Sequence, residues 1–389
     1  MTEALQGIVV LDLTQYLAGP YGCTLLGDVG ADVIKIEPPS GDMGRQYPST
    51  LPNENRGFIG ANRNKRSIVL NLKNPEGLAA FYRLVDRVDV VVHNFRPSVP
   101  KRLGIDYETL RNRRPDLIYC SFTGYGESED GPLRDHPGYD TMLQCFTGLA
   151  AMQGGDGAPQ ILNGSIVDYY SSSMVAIAIL SAIVHRLRTG EGQHVRASLL
   201  RSAIALQAGQ FIWADGEPRN IERWWGASYS GIYPTKEGYL YLQATTPTFW
   251  KHLCEFLGFP ELLGDPRFDT LTKRAALREE IKPRIREGLK RHTAREWEDL
   301  MLGKVPCIAV RSIDEMFDHP QVLAEGLVTE LEHPNVGKYR TMTKAVEMGI
   351  GDRPTIRAPM LGEHTDEVLA RFGFQDDEIG ALRANGAAA

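Results

Sequence analysis

The chain has 389 residues, more than one hydrophobic core organises alone, so two domains or one elaborated domain are expected. Its 43 Lys and Arg against 49 Asp and Glu give a formal charge of -6 with no long basic run, which argues against a nucleic-acid partner. The five cysteines, Cys23, Cys120, Cys145, Cys254 and Cys307, are scattered without CxxC spacing, so neither a disulfide framework nor a metal site is expected.

The opening Met-Thr-Glu-Ala-Leu-Gln-Gly lacks the basic flank and apolar core of a signal peptide, and a cytoplasmic protein with no membrane partner is expected. Gly7 to Asp12 reads as a fully buried strand and Gly30 to Glu37 as a second, with a short helix between them. A helix near Pro75 to Asp86 leads into a strand at 88–92, and another from Tyr107 leads into a strand at 117–121. This alternation predicts an α/β fold with a Rossmann-like parallel sheet. Glu37 ends the second strand where a ribose-binding acid would sit, yet the first turn, Ala18-Gly19-Pro20-Tyr21-Gly22, is not GxGxxG. Pro20 also removes a backbone donor, so NAD is not expected.

Asp168 closes Asn163-Gly164-Ser165-Ile166-Val167-Asp168 and precedes a helix that runs to Thr189-Gly190-Glu191-Gly192-Gln193. Its apolar stretch, 174–184, is too short for a bilayer, which takes roughly 20 residues. An acid at this junction reads as an N-cap, as a nucleophile held ionised by the positive end of the helix, or as both. All five tryptophans, Trp213, Trp224, Trp225, Trp250 and Trp297, fall between 213 and 330 and mark a smaller α+β domain. Its expected elements are strands near 231–233 and 239–242 and helices near 248–257 and 272–290. From 331 the chain returns to loops and a terminal helix, and the final Ala-Asn-Gly-Ala-Ala-Ala is expected to fray.

Several short motifs in fixed order resemble those of the class III CoA-transferases of the CaiB/BaiF type, which include the formyl-CoA transferases and the related α-methylacyl-CoA racemases. They are Val10-Leu11-Asp12-Leu13-Thr14, Ala18-Gly19-Pro20, Gly30 to Glu37, Asn64-Lys65-Arg66-Ser67, Asn94-Phe95-Arg96-Pro97, Arg102-Leu103-Gly104, Gly124-Tyr125-Gly126, Asp168, Thr189 to Gln193, and Leu361-Gly362-Glu363-His364-Thr365. The resemblance implies an interlocked, ring-shaped homodimer. Its large domain would be formed by 1–212 and 331–389, and its small domain by 213–330. It also implies a CoA-transferase in which Asp168 forms an aspartyl-CoA thioester, with coenzyme A as a substrate and no permanently bound cofactor.

By the same resemblance Ala18, Lys73, Asn94, Phe95 and Arg102 match CoA-binding positions, and Tyr139 matches a residue facing the acyl group. The substrates implied are an acyl-CoA and a carboxylic acid. In the racemases a Gly-His-Asp motif supplies a base, whereas here the triplet is Gly138-Tyr139-Asp140, and a phenol titrating near 10 is a poor base at neutral pH. This favours transfer over racemisation, although His136 lies three residues before Tyr139. A non-catalytic CoA-binding homologue is the third reading, and the presence of Asp168 opposes it. Ser172 stands where relatives often have Gly, and Trp225 to Gly231 replaces a glycine-rich lid. Tyr16, Tyr139, Tyr169 and Tyr229 could shape an acyl pocket, with Arg45 or Arg63 meeting the second carboxylate of a dicarboxylic substrate such as succinyl-CoA.

Overall fold

The computed structural model describes residues 3–154, 157–217, 229–349, 351 and 353–389. The chain divides into two compact units, Met1–Ile212 with Leu323–Ala389, and Trp213–Val322. The second unit closes at Val322 rather than near 330.

In the first unit β1 (Val9–Asp12), β2 (Asp32–Glu37), β3 (Lys65–Val69), β4 (Val90–His93), β5 (Ile118–Thr123) and β6 (His194–Ser198) form a parallel sheet in the order β3-β2-β1-β4-β5-β6. Alternation along each strand sends Leu11, Ile34, Val91 and Tyr119 to one face and Val10, Val33, Val90 and Ile118 to the other. Both faces are covered, as a parallel sheet requires. The first face packs against the helices Pro75–Val85, Thr365–Arg371 and Asp376–Ala384, the second against Ala18–Asp28 and Ile166–Thr189. Strand order reverses at β1, whose neighbours are β2 and β4. The loops leaving β1 and β4 therefore diverge and open a crevice beyond the strand ends, where open α/β sheets bind ligands.

Beneath that crevice lies a buried ionic cluster. Lys65 Nζ donates to Asp12 Oδ2 at 2.8 Å, to the Pro20 carbonyl at 2.7 Å and to Asn62 Oδ1 at 2.9 Å, with neither ion of the pair exposed. Burial pushes the Asp12 carboxyl up, but Lys65 and Lys35 outweigh it and hold the group below its ordinary range.

The helix Ile166–Thr189 has 24 residues and a window mean hydropathy of 1.6, enough by length and composition to cross a membrane. Here its Val167, Val175, Ile179 and Ile183 are buried in the sheet-facing core. The C-terminal residues do not fray: Ala387 and Ala388 are buried, the Asn71 N–H donates to the Ala387 carbonyl at 2.9 Å, and Ala388 bridges to Leu70. The loop expected after 331 is instead a hairpin of β10 (Val328–His333) and β11 (Gly337–Met342), which belongs to the first unit.

In the second unit β7 (Gly231–Pro234), β8 (Tyr239–Leu242) and β9 (Cys307–Ala309) form an antiparallel sheet against Pro247–Leu257 and Arg278–Leu289. Trp250 and Trp297 fill its core. Trp224 and Trp225 lie outside the described residues. The helix expected at 272–290 is two, Leu271–Ala276 and Arg278–Leu289.

Removing one member of a buried ion pair leaves the other uncompensated. Lys65→Met is therefore expected to cost the first unit about 3–5 kcal/mol, read as a lower urea midpoint, while Met of similar length keeps the packing.

Candidate active site

The chain enters the helix Ile166–Thr189 through two left-handed residues, Gly164 at φ 101° and Ser165 at φ 56°. In that conformation Ser165 makes no capping hydrogen bond, and Asp168 sits in the first turn rather than at the N-cap. The cap comes from elsewhere: Asp140 Oδ2 accepts the N–H of Val167 at 2.7 Å and of Asp168 at 3.1 Å. Gln144, one helical turn after Asp140, donates to its Oδ1 at 2.6 Å and brackets Leu162, donating to its carbonyl and accepting its N–H. Asp140 reaches this position because Gly124 and Gly138 press together; a Cβ on Gly138 would lie 2.6 Å from the Gly124 Cα.

This geometry corrects the expectation that the helix dipole keeps Asp168 ionised. Burial, followed by the facing Asp140 carboxylate, pushes the Asp168 carboxyl up from 3.8 to about 7. The favourable field of the helix end is outweighed by desolvation and a like charge.

Asp168 borders a cavity of about 210 Å³ together with Tyr16, Ala18, Asn94, Phe95 and Tyr139. Of the six residues matched to CoA or acyl binding, four line it: Ala18 at the start of the helix after β1, Asn94 and Phe95 in the loop after β4, and Tyr139. Asn94 is committed to the backbone: its Oδ1 accepts the Gln15 N–H at 2.9 Å and its Nδ2 donates to the Gln15 carbonyl at 2.7 Å, tying the β4 loop to the β1 loop. Phe95 stacks on His93 with ring centroids 5.5 Å apart. The Ala18 carbonyl accepts the Ser172 hydroxyl at 2.8 Å, so Ser172 bonds the Ala18–Asp28 helix to the helix of Asp168. Lys73 and Arg102 are exposed and stand outside this lining.

Arg96, Arg134 and His136 do line it. Arg96 was legible only as part of Asn94-Phe95-Arg96-Pro97, and Arg134 carried no sequence signal. A second cavity of about 800 Å³ shares Pro97, Thr123 and Arg134 with the first and includes His93, Tyr107 and His194.

Other expected pocket residues are engaged elsewhere. Arg45 makes a two-pronged bond to Glu37, through Nε and Nη2 at 2.8 Å each, and Arg63 pairs with Asp28. The Tyr229 hydroxyl, buried in the second unit, donates to the Ala244 carbonyl and accepts from Arg274 Nε. Tyr169 packs edge-on against Tyr21. Of the Trp225 to Gly231 segment, 225–228 lie outside the described residues.

The sequence matches the family model for CoA-transferase family III over residues 5–365. The chain therefore belongs to that family and is an enzyme of the CoA-transferase class. It is 32% identical to the human succinyl-CoA:glutarate CoA-transferase, covering 99% of this chain and 90% of that one. It is 33% identical to the succinyl-CoA:mesaconate CoA-transferase of Haloarcula marismortui, covering 95% of this chain and 96% of that one. The crystal structure of a CaiB/BaiF family protein from Brucella suis superposes with a TM-score of 0.83 at 30% identity, covering 96% of this chain and all of that one.

A carboxyl whose folded pKa is raised stabilises the fold while protonated, and the contribution is lost as pH rises from 3.8 through about 7. Asp168→Asn, neutral throughout, is expected to melt above wild type at pH 8, by at least about 2–4 °C if one kcal/mol is recovered, with the gap closing near pH 4. Asp140→Asn retains an oxygen acceptor for the cap but removes the facing charge. The Asp168 carboxyl should then titrate lower, which carboxyl-carbon NMR would measure.

Proposed function

We propose that the enzyme moves CoA from a dicarboxylic acyl-CoA, succinyl-CoA or a homologue, to a carboxylic acid through a covalent intermediate on Asp168. The Asp168 carboxylate attacks the thioester carbonyl, forming a mixed anhydride and releasing CoA thiolate. The thiolate attacks the Asp168 carbonyl of that anhydride, forming aspartyl-CoA and freeing the donor acid. The acceptor carboxylate then attacks the aspartyl thioester, and the thiolate released closes the cycle by attacking the acceptor's carbonyl, giving the new acyl-CoA and Asp168.

The observation that carries this reading is the pairing of Asp168 with Asp140 at the edge of a cavity. A carboxylate destabilised by burial and a like charge is more reactive, and acylation removes its charge and with it the repulsion. The dicarboxylic donor is supported by the succinyl-CoA-dependent activities of the human and archaeal relatives. Arg96 and Arg134, with the exposed Lys73 and Arg102, are the cations we assign to the CoA phosphates. Ala18 and Phe95 face the pantetheine end, Tyr139 the acyl group, and Asn94 holds the loop that carries them.

The same reading includes the homodimer. Ile177, Val184 and Leu187 recur along one face of the helix Ile166–Thr189 and are exposed in the single chain, a stripe that a second copy would cover. Ile177→Glu with Leu187→Glu should shift the protein from dimer to monomer in light scattering; an unchanged mass would remove this face from the interface.

The catalytic reading is tested by intact-protein mass spectrometry after brief incubation with succinyl-CoA and hydroxylamine trapping. Wild type should carry a CoA-sized adduct or a hydroxamate at Asp168, and Asp168→Asn neither. His136 in the cavity lining gives the racemase reading its one support. Solvent deuterium entering the α-carbon of an acyl-CoA without any adduct would establish that reading instead.

A further inference from the structure

Tyr16 holds a backbone conformation that L-residues avoid, φ 72°, and holds it at the cavity of Asp168. Three consecutive residues are pinned there by side chains from other elements. Lys35 Nζ, on β2, donates to the Thr14 carbonyl at 2.8 Å; the Asn94 amide brackets Gln15; and Asp42 Oδ1 accepts the Tyr16 N–H at 3.0 Å. Lys35 and Asp42 are themselves an ion pair at 2.6 Å, both wholly buried. Asp42 further accepts the Gly44 N–H at 2.7 Å and donates its own N–H to Glu37 Oε2 at 2.9 Å, so its carboxylate has no freedom to turn.

What this scaffold delivers is a phenol. The Tyr16 ring meets Tyr139 edge-on at 5.9 Å and Tyr47 at 6.2 Å. Tyr47 is close enough to Asp168 for that carboxylate, after burial and Tyr139, to push its phenol up. Burial and the Tyr139 phenol raise Tyr16 to about 12, so its hydroxyl stays protonated and donates at neutral pH. Arg45 and Arg63 are occupied by Glu37 and Asp28, and Arg96 and Arg134 are assigned above to the CoA phosphates, so Tyr16 and Tyr139 are the phenol donors that the cavity of Asp168 offers an acyl group.

We infer that Tyr16 is a specificity-determining residue whose hydroxyl binds the distal carboxylate of a dicarboxylic acceptor, and that the buried Lys35–Asp42 pair is the positioning device that fixes it there. A phenol donating to an anionic oxygen makes a charge-assisted hydrogen bond that an acceptor lacking that oxygen forgoes, so the two acceptors are discriminated. The inference rests on the CoA-transferase reading above.

The test is the ratio of kcat/KM for glutarate to that for butyrate as acceptors, with succinyl-CoA as donor. Tyr16→Phe should lower the ratio roughly tenfold through KM for glutarate, the scale of one hydrogen bond to a charged group. Tyr16→Gly relieves the left-handed backbone strain, which offsets the chain entropy that glycine adds, so it should still fold and lose the selectivity. Asp42→Asn should lower the same ratio, and Asp42→Asn combined with Tyr16→Phe should lower it no further than Tyr16→Phe alone, a non-additivity that a merely structural role for Asp42 would not produce. Wild-type transfer with an unchanged ratio in both Tyr16 variants overturns the inference, whereas a wild type that transfers CoA to no acid removes the reading beneath it.

Discussion

The acceptance of two helix N–H groups by the Asp140 carboxylate is the contact on which the candidate site depends. A chain that enters a helix through left-handed Gly164 and Ser165 has no side chain of its own in capping position, yet the first-turn donors must be met. Supplying the cap from another helix joins two segments and brings a second carboxylate beside Asp168. One arrangement thus satisfies the backbone and loads the Asp168 carboxyl electrostatically. Gln144 keeps the capping carboxylate from rotating away, and the close Gly124 and Gly138 backbones set its distance from β5.

The remaining walls follow from sheet topology. Because β1 lies between β2 and β4, the two loops that leave its end and that of β4 would part without a crosslink, and Asn94 provides one. Below them Lys65 and Lys35 are stripped of water and must find anions, which Asp12 and Asp42 supply. Such pairs add little net stability compared with an apolar core, but they have only one good geometry. The loop from Thr14 to Tyr16 inherits that geometry through its carbonyls and N–H groups.

Which parts of this were legible in the sequence depends on how local their cause is. β1, β2, β4 and β5 announce themselves as apolar runs because both sheet faces are covered. β3 opens with Lys65 and Arg66, and β6 carries His194 and Arg196; neither reads as a buried strand, since Lys65 is neutralised by Asp12 from the sheet's interior and β6 lies at its edge. The final alanines look like a frayed tail until Leu70 and Asn71 are known to pair with them. Asp168 was visible from its place before an apolar helix, but its environment was not. The left-handed turn at Ser165 and a carboxylate 28 residues earlier decide it, and neither leaves a mark near position 168.

The electrostatics of the pair also bear on why such chemistry can run in both directions. Each half of the proposed cycle begins or ends with Asp168 as a free carboxylate and passes through neutral acyl forms of the same group. A field that disfavours the charge therefore lowers the climb to the first anhydride and, by the same amount, biases the last one against collapse to the free acid. That bias is useful only if the aspartyl thioester is not a trap. Its limit is set by the partial compensation that the helix N-terminus still gives the carboxylate. The proximity of Asp140, close enough to cap and too constrained to turn away, fixes where between those two penalties the proposed nucleophile stands.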